Sequence, residues 1–169
     1  MGRTDFGQMN CSIARTVDIL AEPWTLLILR DVLMGIRQFD EIRQDLGIST
    51  NVLADRLKRL SAHGVVEGRP YGAHPNRFEY HLTEKGRDAV PILLALVAWG
   101  DRWEAGRAGA PTDVIHTQCG ARTALVAHCS ACGEPLAPDA LEYRNGRGAR
   151  TGRGTRLLRE RLASRRRPR

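Results

Sequence analysis

Four side chains late in the chain have the spacing of metal ligands. His116 and Cys119 form one pair and Cys129 and Cys132 a second; two residues separate the donors in each pair, and a glycine, Gly120 or Gly133, follows directly. Two intervening residues let both donors of a pair reach one ion, and the glycine permits the tight turn this requires. Two such pairs complete the tetrahedron that zinc prefers. A site closed by three cysteines and one histidine leaves no position for water, so its expected role is structural and not catalytic. His128 is an alternative to His116 as the nitrogen ligand. Cys129 and Cys132 also admit a reading as a redox dithiol, although no strand-helix-strand context of a thioredoxin-like site surrounds them, or as ordinary thiols.

The remaining cysteine stands alone near the start. Cys11 directly precedes SIARTVDIL, where Ile13, Val17 and Leu20 recur at i, i+4 and i+7 and predict a first helix. A thiol at a helix N-terminus lies in the field of the dipole and of unpaired N–H groups. That field favours the thiolate and reaction with an electrophile or oxidant, and Arg15, one turn on, would reinforce it. The competing reading is a buried, inert thiol, since free cysteine is among the most buried residue types.

The elements that must position these groups are legible from periodicity and punctuation. Residues 48–64, ISTNVLADRLKRLSAHG, read as one amphipathic helix: Ser49 caps the start, Leu53, Leu57 and Leu60 share a face, and Gly64 supplies a left-handed stop. Its other face carries Thr50, Asn51, Asp55, Arg56 and Arg59, donors and cations with the reach for a nucleic-acid groove. Charges opposite an apolar stripe occur on any surface helix; the neighbours decide. A short segment with Phe39, Ile42 and Leu46, closed by Gly47, comes before. Two strands with a turn at residues 72–76 come after. Helix, turn, helix and ribbon is the order of a winged helix-turn-helix, in which the second helix enters the major groove. Arg69, His74, Asn76 and Arg77 cluster at the ribbon's turn, and Arg37 precedes the first helix of the pair; all have phosphate reach.

Two apolar stretches frame this motif. In PWTLLILRDVLMG, Pro23 is expected at the first helical position and Trp24 as a core anchor. Thr83 begins TEKGRDAVPILLALVAWGDRWE, expected as one capped helix with a bend at Pro91. Its Val90, Leu93, Leu94, Leu96, Val97, Trp99 and Trp103 exceed what the outer face of a small domain exposes, which marks a dimer interface packing with the partner's first helix.

Cys11 with SIARTVDIL, then PWTLLILRDVLMGIRQFDEI, ISTNVLADRLKRLSAHGVVE and RFEYHLTEKG, resembles the HxlR-type family of bacterial transcriptional regulators in order and spacing, from about Asn10 to Asp101. The resemblance implies a MarR-like winged-helix homodimer on double-stranded DNA, gene control without catalysis, and a sensing role for Cys11 toward an electrophile, oxidant or other inducer. Ser12 departs from the proline common at that position. After the linker the paired ligands resemble the knuckles of a zinc ribbon.

The expected fold is therefore mainly α with a small β-wing. It divides into an N-terminal arm (1–10), a winged-helix and dimerisation domain (11–105), a linker (106–113), a zinc-ribbon-like unit (114–143) and a disordered basic tail (144–169). The net charge of +7 is located in that tail, which holds 11 arginines against the single acid Glu160. Residues 1–143 carry 15 basic and 18 acidic side chains, so groove contacts there depend on a local patch. An arginine- and glycine-rich tail, with at most a turn at 157–162, suits unspecific attraction to phosphates. No apolar run approaches the roughly 18 residues of a membrane span and no signal peptide is evident, so a cytoplasmic, nucleoid-associated location is expected. Absence of paired carboxylates, a Ser-His pair, a P-loop or a dinucleotide glycine motif argues against an enzyme. The alternatives are an RNA-binding zinc ribbon that uses the late knuckles and tail, and a thiol oxidoreductase at Cys129 and Cys132.

Overall fold

A computed structural model of the chain describes residues 5–72 and 77–164. It divides into two compact units, Leu27–Leu136, and Met1–Leu26 with Ala137–Arg169. These contact-defined units cut the chain elsewhere than composition suggests, grouping the knuckle segment with the winged helix and the tail with the N-terminal arm.

The larger unit is built on three helices and a ribbon. Helix α2 (Thr25–Met34) lies almost wholly within it and is stopped where Gly35 turns left-handed, φ 96°. Helix α3 (Phe39–Leu46) is opened by a reciprocal cap between Gln38 and Glu41 and closed by Gly47. Helix α4 (Thr50–Ala62) is capped by the Ser49 hydroxyl, which accepts from the Val52 N–H at 3.4 Å, and Gly64 at φ 66° lets the chain leave it. Each end thus follows from a local signal. Strands β1 (Val66–Pro70) and β2 (Phe78–Leu82) pair antiparallel with Val66 opposite Leu82. The predicted leucine stripe of α4 is buried, and Leu53, Leu57 and Leu60 join Ile28, Leu29, Val32, Ile42, Val65 and Val66 in the core.

A third edge segment joins the ribbon. The Tyr80 N–H donates to the Arg37 carbonyl at 2.9 Å, Gln38 bridges Glu79, and the Tyr71 hydroxyl donates to Gln38 Oε1 at 2.8 Å. The start of α3 is thereby tied to the wing. Elsewhere in this unit Asp31, 1% exposed, pairs with Arg30 at 2.6 Å, and Arg30 also reaches Asp45 of α3 at 3.0 Å.

The single helix expected after Thr83 is two. Thr83 caps a short α5 (Glu84–Arg87), accepting from the Gly86 N–H at 3.1 Å, and α6 runs Val90–Trp103. Pro91 does not bend a continuous helix; it sits in the first turn of α6, where an N–H would have no intrahelical acceptor. Helix α6 buries no residue, and Ile92, Leu96, Trp99 and Trp103 are exposed, the two tryptophans at 58% and 62%.

In the smaller unit, α1 (Ser12–Leu20) begins after Cys11. Its Leu20 is buried, while Ile13 is 75% exposed and Val17 is also exposed. Trp24 is not a core anchor: it is 38% exposed with a left-handed backbone, φ 76°. That conformation cannot belong to a right-handed helix, so α2 starts at Thr25 and Pro23 lies outside it. The tail, expected to lack regular structure beyond one turn, contains helix α7 (Arg156–Ser164) with Thr155 buried at its head. Arg159 of α7 donates to the Asn10 carbonyl at 2.7 Å and to Asn10 Oδ1 at 3.1 Å, and Asn10 Oδ1 also accepts from the Arg150 N–H at 2.7 Å. Composition does not reveal this, because the partner that orders the tail lies at the other end of the chain. Among the described residues no helix is long and apolar enough to cross a membrane.

Candidate nucleic-acid interface

The outward side of α4 presents Thr50, Asn51, Asp55 and Lys58, all exposed, with the capping Ser49 beside them. Sequence reasoning passes over Lys58; its i+3 spacing from Asp55 and i+7 from Asn51 is the signal that could have found it. Arg56 and Arg59 are half-buried flanking residues, and Arg56 pairs with Asp55 at 2.5 Å. Asp55 thus holds one arginine at the edge of the polar face.

The ribbon and the segment before α3 supply the remaining candidates. Arg69 is exposed and engaged with Glu67 through Nε at 2.9 Å. Arg77 is exposed and its carbonyl accepts from the Tyr71 N–H, closing the base of the ribbon's turn. Arg37 is exposed while its carbonyl holds Tyr80. His74 and Asn76 lie outside the described residues. Buried α4 leucines, the Ser49 cap and the wing fix the relation of these groups; the polar side chains themselves remain accessible.

Cys11 occupies the N-cap position of α1, with extended backbone (φ −146°) and no side-chain cap bond, and is half-buried. Arg15, one turn into α1, is engaged by the arm. Its Nε donates to the Met9 carbonyl at 3.1 Å and so braces the arm before Cys11, which is further held by the Phe6 N–H donating to Asp18 at 3.2 Å.

The four late donors stand in two turns. His116 Nδ1 lies 3.3 Å from Cys119 Sγ, whereas His128 Nδ1 is taken up by the Gly133 carbonyl at 2.7 Å. The Ala131 and Cys132 N–H groups and the Cys132 thiol face the Cys129 sulfur and lower its pKa from the usual thiol value. Among the described residues no three His, Cys, Asp or Glu side chains converge on one point. Between α6 and residues 112–125 lies a cavity of about 300 Å³, floored by Leu94 and Val97 with Asp101 and Arg122 among its lining.

Helix pair, ribbon and accessible polar helix face define a winged helix-turn-helix of the DNA-binding kind. Comparison with known proteins makes the assignment specific: residues 19–107 match the HxlR-like helix-turn-helix family, and the chain belongs to it. An uncharacterized HTH-type transcriptional regulator of Mycobacterium bovis is 37% identical over 125 residues, 74% of this chain and 79% of the relative. The crystal structure of PA1607, a proposed transcription factor, superposes with a TM-score of 0.72 at 30% identity, covering 89% of this chain and 99% of that one. The redox regulator HypR in its reduced form matches 54% of this chain and 92% of its own, with a TM-score of 0.51 and 30% identity. The protein is thus a member of a family of helix-turn-helix transcriptional regulators.

Proposed function

We propose that the protein binds an inverted-repeat operator as a homodimer, with α4 of each copy in the major groove, and that it acts by binding and not by catalysis. The observation that carries this reading is the accessible face Thr50, Asn51, Asp55 and Lys58 on a helix whose other face is locked in the core. Asn51 is suited to adenine N6 and N7, and Lys58 to guanine or phosphate. Arg56 and Arg59 flank the groove, while Arg37, Arg69 and Arg77 meet the backbone beside it. The apolar side of α6, with Trp99 and Trp103, and the exposed Ile13 and Val17 of α1 are surfaces for the second copy to cover. Two-fold pairing then sets the recognition helices about 34 Å apart, one turn of DNA.

Regulation begins, on this proposal, at Cys11. Likeness to the redox regulator HypR supports it, as does the thiol's place at the head of a helix with an uncovered apolar face. An adduct on Sγ alters how α1 packs and so the spacing of the recognition helices.

The test is a mobility shift on DNA upstream of the protein's own gene, with random competitor, with and without a thiol oxidant. Asn51→Ala should weaken the specific complex by about 1–3 kcal/mol, roughly tenfold, and leave random DNA unaffected. Equal losses on both DNAs would remove α4 as the reader. Cys11→Ser should retain binding and lose the oxidant response; an unchanged response would take the switch away from Cys11.

A further inference from the structure

The two turns that carry the late donors share three backbone hydrogen bonds in the same positions. In the first, the His116 N–H donates to the Ala121 carbonyl at 2.9 Å, the Gly120 N–H to the His116 carbonyl at 2.8 Å, and the Thr123 N–H to the Val114 carbonyl at 2.8 Å. In the second, the Cys129 N–H donates to the Glu134 carbonyl at 2.8 Å, the Gly133 N–H to the Cys129 carbonyl at 2.8 Å, and the Leu136 N–H to the Ala127 carbonyl at 3.0 Å. The flanking bridges correspond too, Ile115 to Arg122 and His128 to Pro135, and both glycines are left-handed, at φ 70° and 77°. A shift of 13 positions carries each of these features of one turn onto its counterpart in the other. His116 then falls on Cys129, Cys119 on Cys132, and Gly120 on Gly133.

We propose that these turns are the two halves of a structural zinc site in which His116, Cys119, Cys129 and Cys132 coordinate one ion. The correspondence decides which histidine takes part. His128 falls on Ile115, a bridge residue, and its Nδ1 braces the Gly133 carbonyl; His116 occupies the ligand position. The first pair is already near coordinating geometry. Bond lengths of about 2.0–2.1 Å to nitrogen and about 2.3 Å to sulfur at a tetrahedral angle require a separation of about 3.6 Å, and His116 Nδ1 stands 3.3 Å from Cys119 Sγ.

The segment also needs such an ion. From residue 106 to residue 136 no side chain is buried, and Ile115, Leu125, Val126 and Leu136 are all exposed. A segment that buries no side chain of its own gains a fixed fold from a metal staple. The pairs do not converge in the structure, so binding requires them to close on one another. Between the two turns, residues 124–126 contain neither helix nor strand. Each thiol gives up its proton to solvent as it binds, and no oxidation is involved. This inference does not depend on how α4 reads DNA.

The test is metal analysis of the full-length protein, followed by cobalt substitution. We expect one zinc per chain and the visible ligand-field bands of tetrahedral cobalt with thiolate ligands. Cys119→Ser and His116→Ala should each weaken zinc binding by more than the roughly 10–100-fold that loss of an outer-shell partner costs. His128→Ala should keep the full stoichiometry. Chelator titration of the unsubstituted protein, read by circular dichroism, guards against variants that misfold and should leave the helical signal of α2–α4 in place. Failure to take up zinc or cobalt, or parental affinity in Cys119→Ser, overturns the four-ligand site; one zinc per two chains overturns the single-chain site.

Discussion

Replacing Gly86 with alanine tests how the wing is fastened to α4. Gly86 is buried in α5, and a Cβ there would fall on the Val65 carbonyl oxygen, well inside van der Waals contact, and against Leu82 Cβ and Cδ2 at 3.2 and 3.3 Å. That carbonyl cannot yield cheaply. It accepts from the Thr83 N–H and the Thr83 hydroxyl, both at 3.2 Å, just where the chain passes from α4 into β1. Overpacking of this kind costs about 1–3 kcal/mol, and loss of the Thr83 cap would add about 1 kcal/mol. Alanine's helix propensity returns about 1 kcal/mol. The net expectation is a loss of about 2 kcal/mol, which at about 1–3 kcal/mol per molar urea moves the midpoint down by about 1 M. Urea unfolding at one fixed protein concentration reads this, since pairing of copies would otherwise shift the midpoint. Affinity for the specific DNA should fall along with it, because β1 and α4 shift together. An unchanged midpoint would refute the close packing of α5 on the α4–β1 junction.

Three further outcomes follow from other sites. Burial raises the Asp31 carboxyl above its ordinary 3.8, outweighing the Arg30 pairing that lowers it. Between that value and the raised one the folded state binds more protons than the unfolded state, so stability should fall as pH rises through this window and level off above it; Asp31→Asn should abolish the slope in denaturation curves from about pH 4 upward. Arg159→Ala removes charge-assisted bonds to Asn10 of about 1.5–3 kcal/mol, and should speed Cys11 labelling at least tenfold in peptide-mapped thiol modification; an unaltered rate would show that the arm is held by other means. Deleting residues 144–169 should flatten the salt dependence of DNA binding by about 0.9 logarithmic units for each phosphate the tail no longer neutralises, measured by anisotropy titration, while specific-over-random preference persists.

Most of the fold could be read from the sequence wherever its cause was local. Ser49, Gly47 and Gly64 act within one turn of themselves, and the α4 leucines declare their face by spacing alone. Where the cause was distant, the reading stopped. No periodicity reveals that Arg37 and Gln38 lie along β2, since a single bridge leaves no alternating pattern. The Trp24 backbone goes left-handed against its own residue preference, so the helix starts at Thr25 and not at Pro23, and Trp24 does not anchor the core. Arginine and glycine content described the tail as it would be alone, without Asn10 to receive Arg159. At the candidate interface, residue types singled out α4, but accessibility was needed to bring in Lys58 and to set Arg56 beside Asp55. The ligand spacing was plain; the equivalence of the two turns became evident only through their hydrogen bonds.

The Asn10–Arg159 contact joins positions 149 residues apart, which has a consequence for the timing of synthesis. At about 5–20 residues per second a ribosome needs roughly 7–30 s to deliver the partner after Asn10 has emerged. Throughout that interval the arm ahead of Cys11 lacks its clamp, on every new molecule. Until then the arm is held by contacts close to it in the chain, Arg15 to the Met9 carbonyl and the Phe6 N–H to Asp18.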